Sequence, residues 1–201
     1  MIGIIDYNMG NLASVYNACS LLDTKASIVK NPEDLKNFDR IILPGVGAFG
    51  DAMLHLKQTG MKDAILDFSK TGKAMIGICL GMQLLFESSE EFGAHEGLGL
   101  IDGKILKFDK NKMKEDFKIP HMGWNKITNT KSVLFDGLED PYLYFVHSFH
   151  VHTKEENVIG STTYGYEFAS AVNKNNIYGF QPHPEKSHDN GLKILKNFLK
   201  I

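Results

Sequence analysis

The stretch AMIGICLGMQLLFESS (74–89) decides how this chain folds. AMIGIC (74–79) is an unbroken apolar run of strand length, the mark of a strand covered on both faces. LGMQLLFESS (80–89) then predicts a helix that starts with no loop between. A buried strand running straight into a helix is the βα step of a parallel sheet. The same step repeats upstream. MIGIID (1–6) reads as a buried strand, and NLASVYNACSLL (11–22) as a helix with Leu12, Val15, Tyr16, Cys19 and Leu22 at helical spacing. KASIVK (25–30) and RIILP (40–44) read as the next two strands. DAMLHLKQTG (51–60) and MKDAILDFSKTG (61–72) read as two short helices, each closed by a glycine.

Downstream the pattern changes. From GLGLIDGKILKF (97–108) to NNIYGFQPHPEKS (175–187), short alternating runs are separated by Gly, Asn, Asp and Pro, which predicts hairpins. NGLKILKNFLKI (190–201) closes as a helix with Leu192, Leu195 and Leu199 on one side. The expected fold is α/β: a mostly parallel central sheet flanked by helices, with antiparallel hairpin additions in the second half. All of it is expected in a single domain, 1–201.

Composition narrows the function classes. Hydrophobic residues at 43% and charged residues at 23% are an ordinary globular balance. A net charge of −2 offers no electrostatic argument for nucleic acid. Cys19 and Cys79 are too few for a disulfide framework, and no Cys/His spacing points to a metal. MIGIIDYNMG lacks a basic segment ahead of a long apolar run, and no stretch nears the roughly 20 apolar residues of a membrane span. The expectation is a cytoplasmic protein that works without a metal, a cofactor, nucleic acid or a membrane.

Cys19 lies on the apolar stripe of its helix and is expected in the core. Cys79 poses a different question. It stands between Gly77 and Gly81 where strand becomes helix, the G-x-Nu-x-G pattern of a nucleophile elbow, at the strand end where parallel sheets gather their sites. The glycines admit close backbone approach, the turn lifts the sulfur out of the sheet, and the helix start behind it favours a thiolate. The N–H of Leu80 is then open to an oxyanion. A buried structural cysteine is the competing reading.

A cysteine nucleophile needs a base. His150 and His152 in HVH could share a strand face like a metal pair, but no third ligand accompanies them. His183 lies in QPHPEKS (181–187), where Pro182 and Pro184 predict an extended segment. His183 and Glu185 would then share a face, and the carboxylate could accept a hydrogen bond from the imidazole and fix its tautomer. GVGAFG (45–50) formally matches GxGxxG, yet it follows the third strand with Pro44 ahead of it. Bringing backbone N–H groups toward a developing negative charge is the better use of those glycines.

GICLGMQ (77–83) followed by HPE (183–185) resembles the class I, triad-type glutamine amidotransferases, and the resemblance runs over essentially the whole chain. Within that family, PGVGAFG (44–50), HMGWN (121–125), YFVHSF (144–149) and GFQPHPEKS (179–187) are similar to the amidotransferase subunits of imidazole glycerol phosphate synthases. The resemblance implies a glutaminase with Cys79 as nucleophile, His183 moving protons and Glu185 orienting it. It implies an oxyanion hole from Leu80 with Val46 and Gly47. The substrate L-glutamine would be held by Gln83 and the backbone of His147, Ser148 and Phe149. It further implies a heterodimer with a (βα)8-barrel cyclase subunit, which uses the ammonia to make imidazole glycerol phosphate and an aminoimidazole carboxamide ribonucleotide in histidine biosynthesis. Asn11, Trp124, Asn125 and Lys186 are the candidates for that interface. Two alternatives stay open: a paralogue that supplies ammonia for surface-sugar amidation, and a stand-alone thiol hydrolase of the same fold.

Overall fold

The computed structural model describes residues 1–113 and 115–201. Strands β1 (Ile2–Ile5), β2 (Ala26–Val29), β3 (Arg40–Leu43) and β4 (Ala74–Ile78) alternate with helices α1 (Leu12–Leu21), α2 (Phe49–Gln58) and α3 (Met61–Ser69) as expected. After β4 come α4 (Leu80–Leu84), β5 (Phe86–Ser89), β6 (His95–Glu96), β7 (Ile101–Lys107), β8 (His121–Lys126), β9 (Tyr142–His147) and β10 (Phe149–His152). β11 (Val158–Tyr164), β12 (Tyr166–Lys174), β13 (Ile177–Phe180) and α5 (His188–Phe198) complete the order. The main sheet runs β2-β1-β3-β4-β13-β12-β10-β7-β5-β6, with β11 on β12. Its β2-β1-β3-β4-β13 half is parallel, and β12, β10 and β7 join it antiparallel. β8 and β9 form a separate antiparallel ribbon.

The unbroken apolar run at β4 has its reason in the layers. Ala74, Ile76 and Ile78 pack into one core with Val15 and Cys19 of α1 and Leu195 and Phe198 of α5. Met75, on the opposite face, packs into a second core with Met53 and Leu56 of α2 and Ile65 and Phe68 of α3. With period-2 alternation, both faces need apolar side chains, each fully buried one contributing roughly 1.5–3 kcal/mol. Cys19 is part of the first core, where burial pushes its thiol up to about 11 and keeps it protonated.

The helix expected over 80–89 stops at Leu84, and FESS (86–89) is strand β5 instead. The carbonyls that would carry the helix onward are taken by a later segment. Leu98 N–H donates to the Leu84 carbonyl at 2.9 Å, Leu100 N–H to that of Leu85 at 2.8 Å and Gly99 N–H to that of Phe86 at 3.1 Å. β5 then pairs in parallel with β7. Tertiary pairing overrides a helical pattern this short.

Candidate active site

Three neighbouring parallel strands end at one edge of the sheet. Gly77 in β4 stands opposite Leu43 of β3 on one side and Gly179 of β13 on the other. The next residues of each strand therefore emerge together: Pro44–Gly47 after β3, Cys79 after β4, and Gln181–His183 after β13. The Cys79 N–H donates to the Phe180 carbonyl at 2.7 Å, which ties the elbow to the strand that delivers the histidine. Cys79 and His183, 104 positions apart, become neighbours because β4 and β13 are adjacent, parallel and in register.

The elbow is tight. Cys79 has φ 55° and ψ −114°, a conformation that costs a non-glycine residue about 1–3 kcal/mol. The backbone itself fills the space around it. A Cβ at Gly81 would lie 1.8 Å from the Leu43 carbonyl oxygen, and one at Gly77 would lie 2.5 Å from that of Gly81. Only glycine fits at either position. Because α4 has a single turn, the field at the sulfur comes from the local amides of Leu80 and its neighbours rather than from a long helix.

His183 Nδ1 stands 2.7 Å from Glu185 Oε1, both side chains almost fully buried. The two meet by a route other than the expected extended segment. Pro184–Lys186 form a single 3-10 turn, with the Lys186 N–H donating to the His183 carbonyl at 3.0 Å. Pro184, with φ preset, opens that turn and folds the carboxylate back onto the ring. The His183 N–H donates to the Tyr144 carbonyl at 2.8 Å, which fixes the loop to β9. Burial works against a charge on the imidazole, but the Cys79 sulfur and the Glu185 carboxylate outweigh it and push His183 up to about 10. His183 Nε2 and Glu185 Oε2 are buried without hydrogen-bond partners in the chain, and His183, which lines a cavity at the elbow, keeps a capacity that a bound molecule can use.

A cavity of about 210 Å³ opens at the elbow. Cys79, Leu80, Gln83 and His183 line it from the elbow side, Val46 and Gly47 from the β3 loop, and His147, Ser148 and Phe149 from the end of β9. The residues expected to act on the substrate thus line one cavity. A larger cleft of about 750 Å³ beside β10 and β12 contains none of them. There His150 accepts from the Tyr166 hydroxyl at 2.8 Å and donates to the Val151 carbonyl at 3.1 Å, buried, while His152 is exposed. The HVH pair is therefore split between inside and outside. Among the described residues no cluster of three or more metal-type ligands occurs, and no helix is long and apolar enough to cross a membrane.

The sequence model of the family Glutamine amidotransferase class-I matches residues 3–201. The chain belongs to this family.

Similar proteins agree with that placement. A protein of Wolinella succinogenes, "Imidazole glycerol phosphate synthase subunit HisH", is 61% identical over 204 residues, covering all of both chains. One of the same name from Sulfurimonas denitrificans is 61% identical over 202 residues, covering all of this chain and 98% of its own. Among solved structures, a "glutamine amidotransferase" superposes with a TM-score of 0.77 at 17% identity, over 99% of this chain and 97% of that one. At that identity the likeness concerns the fold alone.

This class I amidotransferase carries two residues at the site that the sequence pattern did not single out. Glu91 lines the cavity, and its carboxylate accepts from the Phe49 N–H at the start of α2 at 2.7 Å. It lies in SSEEFG (88–93), where nothing in the spacing separates it from Glu90. Gln181 is fully buried, accepts from Gln83 Nε2 at 2.9 Å and donates toward Cys79 Sγ at 3.9 Å. A glutamine beside HPE in an apolar run was the one available signal.

The interface candidates differ in their surroundings. Trp124 is 46% exposed and lies flat on the His188 ring, 5.1 Å between centroids. With Met122 and Tyr142, also exposed, it forms an apolar outer face on the β8–β9 ribbon. Lys186 is exposed at the end of the Pro184–Lys186 turn. Asn11 caps α1 by accepting from the Ser14 N–H at 3.3 Å. Asn125 points the other way from Trp124, with its amide donating to His121 and to the Thr163 carbonyl inside the chain.

Proposed function

We propose that this amidotransferase is the glutaminase subunit of an imidazole glycerol phosphate synthase, acting in histidine biosynthesis with a (βα)8-barrel cyclase as its partner. The observation that carries the reading is the strained elbow cysteine sharing a cavity with a buried imidazole–carboxylate pair. The names of relatives 61% identical over their full length support the assignment to that synthase.

In this reading Cys79 thiolate attacks the side-chain carbonyl carbon of glutamine and a C–S bond forms. The negative charge moves to the former carbonyl oxygen, within reach of the Leu80 N–H and of an N–H from the Val46–Gly47 segment once that peptide turns toward it. His183, already protonated, gives its proton to the leaving nitrogen as the C–N bond breaks, and ammonia departs. Neutral His183 then takes a proton from water, whose oxygen attacks the thioester and releases glutamate and the thiolate. Glu185 holds the ring through Nδ1 in both halves. Glu91 supplies a negative charge for the substrate's ammonium, while Gln83 and the 147–149 backbone hold its remaining polar groups.

Ammonia freed into neutral water is mostly protonated and no longer a nucleophile, so its release favours a partner seated over the site. The exposed Met122–Trp124–Tyr142 face, next to the His183 loop, suits that partner. The test is to mix the chain with the cyclase subunit, add glutamine and follow imidazole glycerol phosphate. Cys79→Ala removes glutamine-dependent turnover and leaves ammonia-dependent turnover intact. Loss of neither refutes the nucleophile, and no product from the wild-type pair refutes the choice of synthase.

A further inference from the structure

Behind the glutamine pocket runs a line of polar side chains, buried except for the half-buried Asn125 at its outer end, of which the chemistry above uses Gln83 alone. Asn125 Nδ2 lies 3.2 Å from His121 Nε2, His121 Nδ1 lies 2.9 Å from His147 Nε2, and His147 Nδ1 lies 2.8 Å from the Phe149 carbonyl oxygen. That same carbonyl accepts from Gln83 Nε2 at 3.2 Å. Gln83 continues to Gln181, whose Nε2 stands 3.9 Å from Cys79 Sγ. The line thus starts on β8, the strand whose other face bears Trp124, and ends at the nucleophile.

We propose that His121 and His147 are positioning residues: a hydrogen-bond relay of one fixed polarity that holds the Phe149 carbonyl and the Gln83 amide in place for glutamine. This rests on reading the cavity as a glutamine site.

The polarity follows from chemistry at the far end. A peptide carbonyl only accepts, so His147 must carry its proton on Nδ1 and leave Nε2 bare. His121 must then donate from Nδ1, which leaves its own Nε2 to accept from the Asn125 amide. Asn125 is locked in that sense, because Nδ2 also donates to the Thr163 carbonyl and Oδ1 accepts from the Lys126 N–H. Both rings must be neutral, since a second proton on either would set donor against donor. Burial agrees, pushing His121 down to about 4 and His147 down to about 3. Aromatic packing stops the rings from turning: His121 is stacked between Phe145 and Tyr164, and His147 packs on Phe108 and Phe168. The Nδ1–H form is the minority tautomer of free neutral histidine, so finding it twice in succession would be a specific result.

The first measurement needs no variant and no activity. Long-range proton–nitrogen correlation on the histidine-labelled full chain reads the tautomer of each ring. Protonated Nδ1 and bare Nε2 on both His121 and His147 support the relay; a proton on Nε2 of either overturns it. The second measurement uses the complex with the cyclase. Asn125→Asp presents an acceptor where a donor stood, and His121→Phe keeps the stacked ring but cuts the line. Each is expected to raise the glutamine KM about tenfold while kcat changes less than threefold. The Asp variant also moves the His121 proton to Nε2. Unchanged KM in both variants, or a uniform loss of kcat, overturns the positioning role. If the wild-type complex does not use glutamine, the functional reading falls, while the tautomers still decide whether the relay exists.

Discussion

Replacing Cys79 by glycine and, separately, by alanine measures the strain in the elbow without any catalysis. Both variants lose the same sulfur, so that effect cancels between them, while the glycine variant also gives up a buried Cβ worth up to about 0.8 kcal/mol. The larger difference is in the backbone. At φ 55° and ψ −114° an alanine keeps a conformational cost of about 1–3 kcal/mol, which glycine largely escapes. Against this, glycine loses roughly 0.4–1 kcal/mol through the greater freedom of its unfolded chain. The balance leaves Cys79→Gly more stable than Cys79→Ala by about 0.5 kcal/mol, the reverse of the order at an ordinary buried strand or helix position. For a chain of this size that is a difference of about 1–2 °C in Tm. Urea unfolding followed by circular dichroism, with thermal melts on the same samples, reads it directly. An alanine variant more stable than the glycine variant by about 1 kcal/mol or more, as an unstrained site requires, would show that Cys79 is not strained, and the elbow geometry would lose its support.

Three further outcomes follow from the site. Glu185→Gln removes the carboxylate 2.7 Å from His183 and is expected to lower kcat on the order of 10²–10⁴-fold in the complex, with glutamine KM little changed. Trp124→Ala, at an exposed position, should leave the fold intact and weaken partner binding by about 2 kcal/mol, roughly thirtyfold in Kd by titration. The third concerns acid. His121 and His147 titrate near 6.5 when unfolded but well below that when folded, so the unfolded chain binds more protons as pH falls. The stability they contribute is complete above pH 6.5 and is lost as pH drops toward 4, with a slope of up to about 2.7 kcal/mol per pH unit for the two rings. His121→Phe should about halve that slope between pH 6 and 5 in urea-midpoint measurements; an unchanged slope would mean His121 takes up its proton in the folded state.

Much of this protein was legible in its residues. The apolar run at 74–78, the glycines around Cys79 and the HPE triplet announced a parallel sheet, a tight strand-to-helix turn and an imidazole paired with a carboxylate, because each depends on neighbours in sequence. Period-2 burial, a tight turn and a proline-opened turn are local events. One expectation failed locally, since 184–186 form a 3-10 turn where the prolines predicted an extended segment, and elsewhere a distant segment had intervened. The helix after Cys79 ended early because the amides of 98–100 captured its carbonyls. Glu91 and Gln181 joined the site with no pattern of their own, since their roles depend on what lies across the cavity.

The sequence by itself determined which groups can do chemistry here: a cysteine held between glycines, an imidazole and a carboxylate two residues apart. Only the tertiary structure decided that they meet. The register of β4 against β13 brings residue 79 to residue 183, and the β3 loop to both. Strand pairing across a hundred residues is chosen by the whole sheet minimising unpaired backbone and exposed apolar surface, and no local pattern records that choice.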